Sequence, residues 1–183
     1  MKENQFNIFS VPIWGFIFND HKYQSENYLE RILEIEQTEP SERKSNFGGF
    51  QTRDNLHKEP VLREFVSMLN KIANGIMKEQ NGVEVEVKEM WANINHEYNH
   101  NGAHIHGGIL SGVFYLKTPP NSGKLILVNP AVRADGKFLR ASNFGINPEP
   151  LACIIFPSWL EHYVEPNLSN DLRVSISFNV DVK

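Results

Sequence analysis

The sequence is short of cysteine, of surplus basic charge and of long apolar runs, and each shortage excludes something. Cys153 is the one cysteine among 183 residues, so neither an intrachain disulfide framework nor a cysteine-rich metal cluster can form. With 18 Lys+Arg against 22 Asp+Glu the formal net charge is −4, which argues against bulk binding of nucleic acid, since phosphates demand a basic footprint. The longest near-apolar stretch close to the N-terminus, residues 11–18, holds eight residues and includes Pro12 and Gly15. A bilayer-spanning helix needs about 20. No membrane partner is therefore expected, and the cytoplasm is the expected compartment. The sequence carries no internal repeat and no low-complexity run.

What is present is an ordinary globular composition, 40% hydrophobic, with 12 Phe against 3 Trp and 5 Tyr. The length suits one domain, residues 1–183, with room for a real core. Its support is expected to be helical over about 20–82 and its core strand-rich over about 83–182. Residues 6–18 read as extended. Residues 23–37 suit a helix, with Tyr28, Leu29, Ile32, Leu33 and Ile35 on roughly one side. A loop rich in Ser, Glu and Gly follows from Thr38 and ends near Phe50-Gln51, where a short strand is possible. Pro60 stands at a first helical position. After it Val61, Leu62, Phe65, Leu69, Ile72, Ile76 and Met77 recur at threes and fours, predicting a helix over 61–80 closed by Asn81-Gly82.

At Val83 the period changes to two, with Val83, Val85 and Val87 alternating with Glu84, Glu86 and Lys88. Carried forward, the same parity puts Trp91, Asn93 and Asn95 on the valine face, which starts apolar and ends in amides. A barrel strand with a packed base and a ligand at its mouth has this pattern; amides nearing a loop would also have it. Further strands are expected over 110–116, 124–128, 152–156, 159–164 and 172–182. Turn signals separate them, among them Pro119 to Gly123, Asp135-Gly136 and Asn147-Pro148. Many short strands without crossover helices predict a β-sandwich or barrel with two helices on one face. Trp91 and Trp159 are expected in the core.

Four of the seven histidines, His96, His100, His104 and His106, fall within eleven residues. If His104-Ile105-His106 is extended, both rings face one side, a common geometry for two ligands of one metal ion. A polar loop that happens to carry histidines is the plain alternative. His162 follows an apolar strand and a Pro-Ser turn. Arg173 comes eleven residues later among Leu172, Val174, Ile176 and Phe178, with Ser175 on its own face. An arginine so placed should be buried, and a buried guanidinium needs an anionic partner. Asp171 or Glu161 could serve, and so could the carboxylate of a ligand.

These residues give the chain a specific likeness. His104-Ile105-His106, Ser111-Gly112-Val113-Phe114-Tyr115-Leu116, Gly123 to Pro130, Phe156-Pro157-Ser158-Trp159-Leu160-Glu161-His162-Tyr163-Val164 and Arg173 to Asn179 resemble the motifs of a group of small iron(II)- and 2-oxoglutarate-dependent oxygenases. The match runs over about 91–180, and more loosely over Phe47 to Thr52. The resemblance implies a mainly β fold, the double-stranded β-helix or jelly roll, with flanking N-terminal helices. It implies Fe(II), 2-oxoglutarate as co-substrate and O₂, with decarboxylation of 2-oxoglutarate to succinate driving oxidation of a C–H bond, most simply a hydroxylation. It implies His104, His106 and His162 as metal ligands, and Arg173 with Ser175 as holders of the distal carboxylate of 2-oxoglutarate. Tyr115, on the strand after His106, and the amides Asn93 and Asn95 join them as co-substrate contacts.

One feature departs from the family pattern. The usual first pair is His-x-Asp or His-x-Glu, and here the second member is His106, so a neutral imidazole replaces a carboxylate. The site could use three histidines or prefer another divalent ion. It could also keep only His104 and His162, with His106 outside the ligand set. Glu97 and Asp135 are carboxylates that no motif places. Two other readings compete. A cupin-type metalloenzyme without 2-oxoglutarate shares the His-x-His opening but gives no reason for Arg173 and Ser175. A jelly-roll binding module would use the histidines structurally. Gln51 and Arg133 fall in family-like segments without a physical role. The substrate, a small molecule or a peptide, is not readable; its choice is expected to lie in 38–55 and 129–150. A homodimer is left open.

Overall fold

Two helices precede a β region, as the change of period at Val83 requires. The computed structural model describes residues 10–19, 22–80, 82–130 and 143–183. In chain order the elements are β1 (Trp14–Ile17), α1 (Lys22–Thr38), β2 (Asn46–Phe47), β3 (Phe50–Gln51), α2 (Arg63–Gln80), β4 (Val85–Asn95), β5 (His100–His104), β6 (Leu110–Lys117), β7 (Leu125–Leu127), β8 (Phe144–Ile146), β9 (Ala152–Pro157), β10 (His162–Val164) and β11 (Arg173–Val182). Short 3₁₀ turns at Leu56–Lys58 and Pro60–Leu62 lead into α2. Gly82, at φ 73°, ends it by donating its N–H to Met77 O at 2.8 Å. Asn81, residues 6–9, Arg133 and the Asp135-Gly136 turn lie outside the described residues.

The strands form two antiparallel sheets. The larger has the order β1-β9-β6-β11-β4-β3, and the smaller β2-β5-β10-β7-β8. The six-stranded sheet carries two cores. On its outer face Met90, Ala92 and Ile94 of β4 and Val174, Ile176 and Phe178 of β11 join Phe65 and Leu69 of α2 and Ile32 of α1 in one buried cluster. Asn70 and Asn74 fix α2 to this sheet by hydrogen bonding the β4 backbone: Val87 N–H to Asn70 Oδ1 at 2.8 Å, and Val85 N–H to Asn74 Oδ1 at 3.0 Å. On the inner face Val113, Tyr115 and Phe156 pack against Leu125 and Leu127 of the five-stranded sheet. The result is the expected double-stranded β-helix with helices on one face. Among the described residues no helix is long and apolar enough to cross a membrane.

Three local readings are corrected. β4 does not keep one parity, because its pairing with β11 slips between Asn179↔Glu89 and Val180↔Val87, leaving Lys88 as an extra residue. This bulge reverses the alternation, so Val85 and Val87 face the helices while Trp91 and Asn93 face inward. The strand expected over 159–164 begins only at His162, since residues 158–160 turn, with Leu160 N–H on Pro157 O at 3.0 Å. That turn points Trp159 outward, 55% exposed, where a core residue was expected.

Candidate metal and co-substrate site

The site lies between the two sheets and is built from cross-strand partners. On the small sheet His162 of β10 pairs directly with His104 of β5. On the large sheet one row crosses four strands: Gln51 of β3 opposite Asn93 of β4, Asn93 opposite Ser175 of β11, and Ser175 opposite Tyr115 of β6. Residues directly opposite in a ladder share a face, so histidines and polar residues look at each other across the interior.

His106 lies past the end of β5, not on an extended continuation of it. Its N–H donates to Ser158 O at 3.0 Å, and Ser158 N–H donates to Ile109 O at 3.1 Å, so the 158–160 turn holds the loop. Gly108, at φ 84°, lets that loop pass against Val180 O, which a Cβ would strike. The three rings meet with centroids 4.4 to 5.0 Å apart. Their ligand-capable atoms all lie within 4.8 Å of one another, so the set could hold a metal ion. No carboxylate joins that group among the described residues; Glu97 is exposed, and Asp135 falls outside them.

The protonation states suit a metal. His104 Nδ1 lies 2.7 Å from Gly102 O, and His162 Nδ1 lies 2.9 Å from Leu160 O. A carbonyl only accepts, so each Nδ1 carries the hydrogen and each Nε2 keeps a free lone pair. Burial lowers all three histidines: His104 below its usual value, His106 to about 3 and His162 to about 4, with neighbouring histidines pushing the last two the same way. All three are therefore neutral near pH 7. Trp91 packs on His106 with ring centroids 5.3 Å apart, and the Phe156 edge packs on His162 at 4.8 Å.

A narrow chamber of about 40 Å³ joins the triad to Arg173 and Ser175, walled by Tyr115 and Asn93. Arg173 is 1% exposed. Neither candidate carboxylate meets it: Asp171 bonds Lys117 Nζ at 2.7 Å on the surface, and Glu161 is exposed. Its protein contacts are Nη1 donating to Ser175 Oγ at 3.2 Å and the Tyr115 ring, whose centroid lies 5.3 Å from Cζ. Among the described residues, Arg173 Nε and the Tyr115 hydroxyl are buried without a hydrogen-bond partner. Burial lowers the guanidinium and raises the phenol, while Tyr115 and Arg173 partly offset this in each other.

The amides form a ladder at the chamber wall. Asn101 Nδ2 donates to Asn93 Oδ1 at 3.4 Å, and Asn93 Nδ2 donates to Ser177 Oγ at 3.4 Å. Asn95 stands one step back, donating to Asn101 Oδ1 at 3.3 Å and lying outside the chamber lining. Sequence reasoning overlooked Asn101; its polar strand His100–His104 shows no apolar alternation that would have revealed it.

Residues 89–179, about half of the chain, match the family described as "Putative 2OG-Fe(II) oxygenase", and the chain belongs to that family. No curated protein matches the sequence. Among solved structures, a prolyl-4-hydroxylase of Pseudomonas putida aligns at 13% identity over 95% of this chain and 94% of that one, with a TM-score of 0.72. HygX of Streptomyces hygroscopicus, solved with nickel and 2-oxoglutarate bound, aligns at 9% identity over 94% and 84%, with a TM-score of 0.68. A viral collagen prolyl hydroxylase of Paramecium Bursaria Chlorella virus-1, in its 2-oxoglutarate complex, aligns at 12% over 92% and 94%, with a TM-score of 0.63. At these identities the likeness is one of fold.

Proposed function

We propose that this iron(II)- and 2-oxoglutarate-dependent oxygenase holds its metal on His104, His106 and His162 and its co-substrate on Arg173, and that it hydroxylates a small-molecule or peptide substrate. When bound, iron(II) with 2-oxoglutarate and O₂ supplies the oxidising power for a C–H bond, releasing succinate and CO₂. Three neutral imidazoles, those of His104 and His162 with fixed tautomers, fit a divalent ion. They bring no negative charge, so the ion's full charge is left for the anionic co-substrate to balance.

The observation that carries this reading is Arg173. A guanidinium buried to 1% exposure and without a carboxylate partner among the described residues is unfavourable unless an anion completes it. It opens into the same chamber as the triad. Arg173 would take the distal carboxylate in a charge-assisted contact, with Ser175 and the Tyr115 hydroxyl adding hydrogen bonds. Asn93 would orient the co-substrate, and Asn95 would act through Asn101. Trp91 and Phe156 keep the imidazoles packed and limit water around them.

The same reading takes the chain as one domain working in the cytoplasm, where a lone buried thiol such as Cys153 is at home. The experiment is metal analysis joined to a succinate-release screen across amino acids, peptides and nucleobases. Release that depends on added iron(II) and on one substrate class supports it; no metal uptake would end it.

A further inference from the structure

Beside the chamber an open groove of about 500 Å³ is bordered by His104, His106 and Trp91. Two of its features have no part in holding the metal or 2-oxoglutarate, and a third, the Trp91 ring, also packs on His106. The first is Gln51, 6% exposed. Its backbone is satisfied, with its N–H on Ser41 Oγ at 3.0 Å and its carbonyl taking Glu42 N–H at 2.9 Å. Its side-chain amide has no hydrogen-bond partner among the described residues, and it lines the groove. The side chain is nine-tenths buried while its amide faces the groove with no protein partner among those residues, one donor group and one acceptor that a ligand offering both would pair.

The second is a pair of carboxylates. Met90 N–H donates to Asp54 O at 2.9 Å and Asn55 bridges Met90, which sets Asp54 and Glu89 side by side on the lip. Asn179 Nδ2 holds Glu89 Oε2 at 2.7 Å, while Asp54 has no ion pair among the described residues. The third is the Trp91 ring on the same wall, a surface that favours cations. Lys44 lines the other lip, next to β2 through its N–H on Asn46 Oδ1 at 2.9 Å. The groove is thus polarised, negative on the β3–β4 side and positive opposite.

We propose that this groove is the substrate subsite and takes a molecule bearing an organic cation, ammonium or guanidinium, seated between Asp54 and Glu89 beside Trp91, with a neighbouring amide of the same molecule paired to Gln51. The word substrate rests on the oxygenase reading; the binding itself does not. The lip carboxylates supply charge complementarity, Lys44 repels the cation from the wrong end, and Gln51 sets its depth next to His104 and His106.

The test is calorimetric titration of the full chain with Nα-acetyl-lysine amide and with its uncharged analogue Nα-acetyl-norleucine amide. Titrations run with and without iron(II) and 2-oxoglutarate under nitrogen. The lysine probe is expected to bind roughly tenfold more tightly, a preference that shrinks in high salt. Asp54→Asn and Glu89→Gln should each erode that preference, and Gln51→Leu should weaken both probes alike. Equal affinity for the two probes, no binding of the lysine probe at millimolar concentration, or a preference untouched by Asp54→Asn and Glu89→Gln overturns the proposal. His162→Ala separates the two readings: the metal-free variant keeps the probe site. Probe binding without any 2-oxoglutarate binding would leave the subsite standing while the oxygenase assignment falls.

Discussion

His104 and His162 are direct partners across the β5–β10 ladder, with ring centroids 4.4 Å apart, and each ring is tied the same way, Nδ1 to the carbonyl two residues earlier. The pairing delivers two Nε2 lone pairs to one point without any rearrangement of the backbone. His106 reaches the same point from a loop, held through its N–H on Ser158 O.

The metal assignment predicts that His104→Ala and His162→Ala each lose more affinity than the roughly 10–100-fold that an outer-shell change removes. The check is calorimetric titration with a divalent ion plus elemental analysis. Full occupancy in both variants would exclude these residues as ligands.

Acid should weaken the metal-free protein through the same histidines. Their folded-state values lie below the ordinary 6.5, at about 3 for His106 and about 4 for His162, because burial disfavours the charged ring. The unfolded chain then binds protons that the folded chain does not, so stability rises with pH. The contribution is complete above pH 6.5 and is lost as pH falls through about 4 for His162 and about 3 for His106. Urea unfolding in the presence of a chelator should show a shallower pH slope for His106→Gln than for wild type, and parallel slopes would refute this.

Arg173→Leu should leave the metal-free protein at least as stable as wild type. Replacing a buried ionic group with a well-packed apolar one is often neutral, or stabilising by about 1–4 kcal/mol, and here no carboxylate is stranded. The same change should abolish 2-oxoglutarate binding. Arg173→Lys keeps the charge but loses the planar fork, so a loss of about one to two powers of ten in affinity is expected, in line with roughly 1.5–3 kcal/mol for a charge-assisted contact. Thermal melts and ligand titrations of the three proteins check both halves.

Gly112→Ala should destabilise the fold while sparing the metal ligands. Gly112 of β6 lies opposite Phe178 of β11, and an added Cβ would run into that ring. Overpacking of this kind costs roughly 1–3 kcal/mol, read as a lower urea midpoint. An unchanged midpoint would mean that the ring moves aside freely.

Much of this was legible from residue types and spacing, and the misses have local causes. The helices announced themselves by period, β6, β9 and β11 as strand candidates set off by turn signals, and the burial of Arg173 followed from its apolar neighbours in β11. The inward aim of Asn93 was expected on a wrong parity, because nothing in Val85–Asn95 marks the bulge at Lys88; its pairing partner reveals it. β5 was invisible because a strand of His, Asn and Gly lining a polar interior has no hydrophobic alternation to detect. Trp159 looked like core in a continuous strand, but the turn at 158–160 needs an exposed position there. Gln51 stood without a role until its register with Asn93 placed it at the rim of the triad.

The most direct measurement is a 2-oxoglutarate titration of the iron(II)-loaded protein under nitrogen, followed by the metal-to-ligand absorption band and repeated with Arg173→Leu. A saturable band in wild type that is lost in Arg173→Leu, with iron still bound, is the predicted result. Absence of band and binding in wild type would contradict the oxygenase assignment of this site. Equal binding by wild type and Arg173→Leu would contradict the role given to Arg173.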